Sequence, residues 1–139
     1  MYYVDTETCG LHGVIILIQY AKDDGSIVIF KPWRNPIIDT LKLIEEFCVE
    51  GIIGFNLTFD WFHLTKLYCM FSMYKDAYAY PEDIIEELAA KEREAISGPC
   101  LKPSKAFDVY LHACKTHYQS VMDRGDIVIR RVPTGLTWE

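Results

Sequence analysis

Two carboxylates lie two residues apart near the start of the chain, in the segment Asp5-Thr6-Glu7. The surrounding residues Tyr2–Glu7 predict a β-strand, in which side chains two apart point to the same face and their Cα atoms are about 7 Å apart. Two acids side by side on one face repel each other, and burying them costs free energy unless a cation sits between them. The segment therefore fits either a metal site or an edge strand with a solvated face.

A third acid follows another short apolar run, in the segment GFNLTFD that ends at Asp60. Ile52–Phe55 predicts a short buried strand, and Asn56 is a candidate N-cap for the helix that follows. Asp60 then lies one turn into this helix, on the same side as Asn56. Alone, the segment fits an ordinary capping turn with a favourable acid near a helix N-terminus.

Together, the two segments resemble the first two motifs of the DEDD 3′–5′ exonucleases, the RNase H-like nucleases that proofread for DNA polymerases. The matching patterns are Asp-x-Glu in the first strand and Asn-x-x-Phe-Asp at the start of a helix after the fourth strand. The resemblance is greatest to the proofreading domains of family A DNA polymerases of phage type, and it covers residues 1–72. A third segment, Ala106-Phe107-Asp108, is similar to the family's Phe-Asp-Thr, with Val109 in place of the threonine.

The resemblance implies a two-metal hydrolysis of the phosphodiester bond at the 3′ end of DNA. Two divalent ions about 3.5–4 Å apart would hold the scissile phosphate, one activating a water and the other stabilising the leaving 3′ oxygen. By the family pattern, Asp5 bridges both ions, Glu7 binds one and helps to orient the water, and Asp60 holds the second. Mg²⁺ or Mn²⁺ suits such an all-oxygen site.

Other residues match the positions at which the family contacts the terminal nucleotide. Leu11 falls where a side chain wedges between the last bases, and Asn56 and Phe59 fall where the terminal nucleotide is positioned. Thr6, between the two acids, belongs to the same substrate-binding set. For Leu11 and Phe59, plain core packing is an equal alternative. The implied partners are a single-stranded DNA 3′ end and a polymerase domain in the same chain or in a partner chain.

The family's third motif, Tyr- or His-x-x-x-Asp on a late helix, has no match in the expected place. Tyr20 and Asp24 have the right spacing but precede the second motif, and Tyr118 and Asp123 are separated by one residue too many. We expect the chain to be truncated before this motif, and to be weakly active or inactive alone, unless another acid completes the site. The candidates for that acid are Asp108, Asp123 and Asp126.

Four potential zinc ligands form a competing set later in the chain, at Cys100, His112, Cys114 and His117. Their spacing, C-x11-H-x-C-x2-H, matches no zinc module that ligand geometry justifies. Buried cysteines and surface histidines are the simpler interpretation of this set.

The elements that must position these residues predict an α/β domain. After the first strand, Val14–Ala21 and Ile27–Trp33 predict two more strands joined by tight turns, which makes an antiparallel meander. A helix follows, with Asn35 as N-cap and Gly51 at its C-terminal end, and then the strand and helix that carry Asp60. We expect a mixed sheet, a three-stranded meander plus parallel strands flanked by helices, which the resemblance makes RNase H-like.

The second half of the chain has weaker patterns. Pro81–Glu94 predicts an acid-rich helix with a solvated face, Lys105–Ala113 a strand that runs into a helix, and Asp126–Val132 another strand. We expect residues 1–139 to form one exonuclease-like domain, in which residues 97–139 are either an insertion or an incomplete C-terminal part.

Composition limits the class of protein. The 139 residues suffice for one domain, and half of them are hydrophobic, so a sizeable core is expected. We expect neither a membrane span nor a signal peptide, and five cysteines without a CxxC pair indicate a reducing, cytoplasmic setting. The net charge of −6 argues against nonspecific nucleic-acid binding, but bound cations invert the local charge of a metal site.

Two other functions stay open at this stage. One is an inactive RNase H-like module that only binds nucleic acid or holds a polymerase together, and the other is a 3′ exoribonuclease. A metal titration separates the first from an active nuclease, because a competent site binds two divalent ions. No residue pattern discriminates against the 2′-hydroxyl group, so the sugar preference is open.

Overall fold

A computed structural model describes residues 1–11, 13–98 and 101–113 of the chain. The strands of these residues form one mixed sheet and are β1 (Tyr2–Thr8), β2 (Ile15–Ala21), β3 (Ile27–Phe30), β4 (Ile52–Gly54) and β5 (Ala106–Asp108). Their order across the sheet is β3-β2-β1-β4-β5. The β1–β2 and β2–β3 pairs are antiparallel, whereas β4 runs parallel to β1 and β5 parallel to β4. The predicted α/β fold, a meander with added parallel strands, is confirmed.

The α-helices of the described residues flank this sheet or follow it, and their bounds are α1 (Ile37–Glu50), α2 (Leu57–Ser72), α3 (Ile85–Ala89) and α4 (Glu92–Ile96). α1 crosses from β3 to β4, and α2 begins directly after β4. The chain also turns helical again after β5, at residues 109–113. Among the helices of residues 1–11, 13–98 and 101–113, none has the length and apolarity needed to cross a bilayer.

α1 and α2 pack on the same face of the sheet. Along β1 the side chains of Tyr2, Val4 and Thr6 are buried, and the residues between them are exposed, as the two-residue period of a strand requires. Tyr2 packs edge-on against Phe47 of α1, with ring centroids 5.3 Å apart. The largest fully buried side chains that complete this core are Ile15, Ile18, Ile37, Ile44, Ile52, Leu64, Leu67, Met70, Phe71 and Leu88.

Two predicted elements are shorter in the structure. β3 ends at Phe30 rather than at Trp33, because the chain enters a 3-10 turn at Pro32–Arg34, where the proline has no N–H to donate to a sheet. The predicted helix Pro81–Glu94 is broken into a 3-10 turn at Pro81–Asp83 followed by the short helices α3 and α4. Acids four residues apart in this stretch repel each other, which disfavours one continuous helix.

The ends of α1 confirm one predicted cap and correct the other. Pro36 occupies the N-cap position, no side chain caps the helix, and Ile37 is its first residue. Asn35 instead donates a 2.8 Å hydrogen bond from its amide to the carbonyl oxygen of Lys31. At the other end, Gly51 has φ +85°, a conformation that glycine adopts without a steric penalty, and its N–H donates back into the helix.

Candidate functional site

Asp5 and Glu7 lie on the exposed face of β1, on either side of the buried Thr6. Across the antiparallel pairing, Asp5 is opposite Gln19 and Glu7 is opposite Leu17 of β2. The strand period thus places the two acids on one face, as the sequence predicts. This is the face of β1 opposite to the one that α1 and α2 cover.

Asp60 reaches β1 from the first turn of α2. Its side chain is only 4% exposed. Its Oδ1 atom accepts a 3.1 Å hydrogen bond from the backbone N–H of Thr6 and a second, short one from the Thr6 hydroxyl. Both bonds go to the same oxygen, so Thr6 does not occupy Oδ2. The third acid is therefore bound directly to the residue that separates the first two.

The Asp60 carboxyl lies in an environment that disfavours its charge. Burial is the largest cause that raises its pKa above the ordinary value of 3.8, and the negative charges of Asp5 and Asp108 raise it further. The two hydrogen bonds from Thr6 act in the opposite direction. Asp5, on the exposed face of β1, thus adds to the cost of a charge on Asp60, and a cation bound near both carboxylates would offset that cost.

β4 explains why residues so far apart in sequence meet here. It lies beside β1 and parallel to it, with Tyr2 opposite Ile52 and Tyr3 opposite Ile53. The carboxyl ends of both strands therefore lie at the same edge of the sheet, and α2, which starts immediately after β4, brings Asp60 against the middle of β1. This is an edge of a parallel arrangement at which α/β proteins commonly place ligands.

Asp108, the candidate fourth carboxylate, lies at the end of β5 and binds the start of α2. Its Oδ1 accepts hydrogen bonds from the backbone N–H groups of Asn56 (2.9 Å) and Tyr110 (3.0 Å), and its Oδ2 accepts one from Leu57 (2.9 Å). Both oxygens are thus engaged with amide groups. Asp108 acts as the cap of α2, supplied from a neighbouring strand.

Asn56 occupies the N-cap position of α2, as predicted, but its side chain does not cap the helix. Its backbone is left-handed, with φ 54° and ψ 51°, and its side chain makes no capping hydrogen bond. Asparagine tolerates this conformation better than most residues. The side chain of Asn56 is exposed, and its backbone N–H is held by Asp108. It therefore stays a candidate for contacting a nucleotide.

The other proposed nucleotide contacts differ in their exposure. Leu11 is 68% exposed on the turn between β1 and β2, so it is not part of the hydrophobic core. Phe59 is half-buried and packs against His63, with ring centroids 4.6 Å apart. Thr6 is buried, and its hydroxyl is engaged by Asp60.

Oxygen donors of this kind suit Mg²⁺ or Mn²⁺. After burial, the charge of Asp5 contributes to the raised pKa of Asp60, and Glu7 lies two residues further along the strand face that carries Asp5. Within the part of the chain that the structure describes, however, no three acidic, histidine or cysteine side chains converge closely enough to form a metal-binding group. The oxygen donors are thus of the type that a hard cation binds, but the described side chains do not form a closed group of three around one point.

Two apolar cavities lie near β4 and β5. One, of about 320 Å³, borders Asp5 and is lined mainly by apolar side chains, including Tyr3, Ile53 and Phe55. The other, of about 580 Å³, lies between α2 and β5 and touches Asp108 but none of the other candidate carboxylates. The smaller cavity is the one that could accept part of a molecule held at Asp5.

Sequence reasoning missed Lys66, a cation buried within α2. Its side chain is 3% exposed, and Nζ lies 3.2 Å from Oε1 of Glu92 on α4 and 3.4 Å from the carbonyl oxygen of Gly13. The only signal was a lone lysine among the apolar residues of the helix. The helix packs against the sheet on one side and against α4 on another, so its buried residues are not confined to one apolar stripe.

The remaining sequence candidates fall in two groups. Tyr20 packs in the aromatic core against Tyr2, and Asp24 closes the β2–β3 turn by accepting hydrogen bonds from Ser26, so this pair is no third motif. His112 packs against Phe107. The candidates that lie outside the described residues are Cys100, Cys114, His117, Tyr118, Asp123, Asp126 and the predicted strand Asp126–Val132.

Comparisons with known proteins do not assign this chain to a family. No protein-family profile, curated protein or solved structure matches it. Any function has to be inferred from the chemistry of the residues around Asp60.

Proposed function

We propose that this chain is an RNase H-like 3′–5′ exonuclease domain that depends on two divalent metal ions and removes nucleotides from the 3′ end of DNA, as the proofreading part of a DNA polymerase. The observation that carries the proposal is the position of Asp60. The Asp60 side chain is buried and accepts hydrogen bonds from Thr6, the residue between Asp5 and Glu7. Its pKa is raised by burial and by the charge of Asp5.

The position of Asp60 is difficult to explain by stability alone. A carboxylate that is desolvated near a second carboxylate lowers the stability of the folded chain at neutral pH. An asparagine would accept the same hydrogen bonds from Thr6 without the charge. A bound cation would attract both carboxylates, so a metal site would explain why an acid rather than an asparagine occupies this position.

The topology supports the same proposal. A strand carrying Asp-Thr-Glu lies at the centre of the sheet, and the parallel strand beside it leads into the helix that carries Asp60. This is the order of elements that the two sequence motifs imply for an RNase H-like nuclease. The meander, α1, β4 and α2 follow one another as that resemblance requires.

The candidate residues would have separate roles in binding the metal ions and the nucleotide. Asp5, Glu7 and Asp60 would hold Mg²⁺ or Mn²⁺, and the bound ions would supply an activated water and charge stabilisation for the leaving 3′ oxygen. Leu11, at an exposed turn, would contact the last bases. Phe59, and Asn56 at the start of α2, would position the terminal nucleotide.

The experiment follows a 5′-labelled single-stranded oligonucleotide on a sequencing gel. Because we expect the chain alone to be weakly active, the protein is used in excess over the oligonucleotide; with Mg²⁺ or Mn²⁺ we expect a slowly formed ladder of products shortened from the 3′ end, and with a chelator none. Asp5→Asn should lower the rate by about a hundredfold or more. Loss of this carboxylate would displace the metal ions and the reacting groups, and a displacement of about 1 Å is enough for such a loss of rate. Glu87→Gln, which removes an exposed acid of α3, is the matched control and should act like the wild type.

A second function is favoured by one specific observation. Because no three-residue metal-binding group forms within residues 1–11, 13–98 and 101–113, an inactive RNase H-like module that binds nucleic acid is the alternative. A folded wild-type chain that binds the oligonucleotide but never shortens it would favour this module over the nuclease. An RNA oligonucleotide in the same assay tests the third candidate, a 3′ exoribonuclease.

A further inference from the structure

Lys66 is a buried cation whose contacts include residues from two other parts of the chain. Its ammonium group is paired with Glu92, whose side chain is 35% exposed, and it donates to the carbonyl oxygen of Gly13. Burying a lysine costs free energy unless its charge is paired and its donors are used. An apolar side chain of similar length would fill the same space, so the charge calls for an explanation.

The turn that Lys66 contacts connects β1 to β2 and carries Leu11. It is tied at its base by a 2.9 Å hydrogen bond from the N–H of Cys9 to the carbonyl oxygen of Val14. At Gly13 a Cβ atom would lie 1.8 Å from the carbonyl oxygen of Cys9, so only glycine fits there. The backbone at Gly13 thus lies close to that of Cys9, while Leu11 is exposed.

α2 links this turn to the candidate site. Lys66 lies six residues after Asp60 on the same helix, a rise of about 9 Å along its axis. Because a helix of this length is rigid on that scale, one element fixes Asp60 against Thr6 and, through Lys66, fixes the turn that carries Leu11. Glu92 connects the same ammonium group to α4.

We propose that Lys66 is a positioning residue, which holds the β1–β2 turn so that Leu11 is presented to the 3′ end of a nucleic-acid substrate beside Asp5 and Asp60. This inference rests on the proposed function. Lys66 itself does not touch the substrate. It acts through the Gly13 carbonyl, and Glu92 keeps the buried ammonium group paired.

The first measurement is independent of activity. Lys66→Met removes the ammonium group while keeping an unbranched apolar stem, and Lys42→Met, at an exposed position of α1, is the control. In Lys66→Met we expect faster hydrogen exchange at the N–H groups of Cys9 and Gly13, with unchanged exchange in the β1–β2 ladder. Unchanged exchange at the turn in a folded Lys66→Met protein would overturn the inference, whatever the activity of the wild type.

The second measurement uses substrate. Lys66→Met should raise KM for single-stranded DNA by about tenfold to a hundredfold, with kcat changed much less and with the metal-induced increase in Tm preserved. A residue that only stabilises the fold would instead lower the active fraction and leave KM as it is. The same variant should weaken binding of a fluorescent oligonucleotide in Ca²⁺, which tests positioning without cleavage.

A double-mutant cycle with Leu11→Ala decides whether Lys66 acts through the turn. If it does, Lys66→Met adds little to the KM of Leu11→Ala, because the residue that it positions is already gone. Independent, multiplicative effects would contradict the inference. A wild-type chain that neither binds nor cleaves overturns the proposed function and this role with it, whereas an active wild type with a normal Lys66→Met overturns this role alone.

Discussion

Two acids near the start of α2, Asp108 and Asp60, have different surroundings. Asp108, on β5, accepts three backbone N–H groups, two of them from the residues that begin the helix. Asp60, in the first turn, points to β1, accepts both its hydrogen bonds from Thr6 on one oxygen, and lies near the charge of Asp5. Backbone amides bind the first carboxylate, whereas burial and then the neighbouring carboxylate disfavour the charge of the second.

The difference separates two roles that the sequence alone does not distinguish. An acid whose two oxygens are engaged by helix-end amides stabilises the folded backbone without any ligand. An acid that lies near another carboxylate, and whose second oxygen is not engaged by such amides, has an unfavourable charge. That charge becomes favourable once a cation binds. We therefore propose that Asp108 stabilises the fold and that Asp60 binds the metal. Substitutions at the two positions should give opposite patterns of activity and stability.

The largest expected effect is on the rate of 3′-end shortening. Asp60→Asn should lower it by about a hundredfold or more, because the loss of a ligand displaces the reacting groups. Asp108→Asn, assayed well below its Tm, should retain a rate within about threefold of the wild type, since Asp108 binds amides and no substrate. Equal losses in both variants, with both proteins folded by circular dichroism, would remove the distinction.

The next largest effect is the loss of stability of the metal-free protein when the Asp108 cap of α2 is removed. Asp108→Ala should lower the free energy of unfolding by about 1–2 kcal/mol, because it removes the acceptor for the amides of Asn56 and Leu57. Urea unfolding in a chelator measures this value. Asp39→Ala, which removes an exposed acid from the first turn of α1, is the matched control and should change it by only a few tenths. A loss no larger than that of the control would mean that the cap is dispensable.

A smaller effect, of opposite sign, is expected at Asp60. In a chelator, Asp60→Asn should raise Tm, because the amide oxygen still accepts from Thr6 while the repulsion with Asp5 disappears. Asp60→Ala should lower Tm, since it leaves the buried donors of Thr6 without their acceptor. Thermal shift with added Mn²⁺ should give a smaller increase in both variants than in the wild type. An undiminished Mn²⁺ response would show that Asp60 is only a helix-end acid.

The smallest effect is the pH dependence of the increase in stability that Asp60→Asn is expected to give. The pKa of Asp60 is raised in the folded chain above its ordinary 3.8, so the folded state binds its proton more tightly than the unfolded state. Its contribution to stability is therefore fully present below 3.8 and is lost as pH rises through the raised pKa. The stability advantage of Asp60→Asn over the wild type should be greatest at about pH 7 and should shrink toward about pH 4. Urea unfolding of both proteins across this range, in a chelator, measures it. A constant difference would mean that the Asp60 pKa is not raised.

The sequence by itself determined the local features of this protein. The two-residue period of β1 is enough to place Asp5 and Glu7 on one face, and changes of period separate the meander from α1, β4 and α2. Helix ends were less predictable. Asn35 and Asn56 are both good N-cap residues by type, yet neither side chain caps its helix. The side chain of Asn35 instead binds the carbonyl oxygen of Lys31, next to the turn at Pro32–Arg34. At the start of α2, the carboxylate of Asp108 binds the backbone amides instead of the Asn56 side chain.

Only the tertiary structure decided which side chains meet. The contacts that define the candidate site join residues far apart in sequence: Thr6 and Asp60 are 54 residues apart, Asn56 and Asp108 are 52 apart, and Gly13 and Lys66 are 53 apart. Periodicity reports how a side chain points relative to its own strand or helix, and it carries no information about the partner across the sheet. The parallel pairing of β1, β4 and β5 creates these contacts, because it brings the ends of strands from distant parts of the chain to one edge.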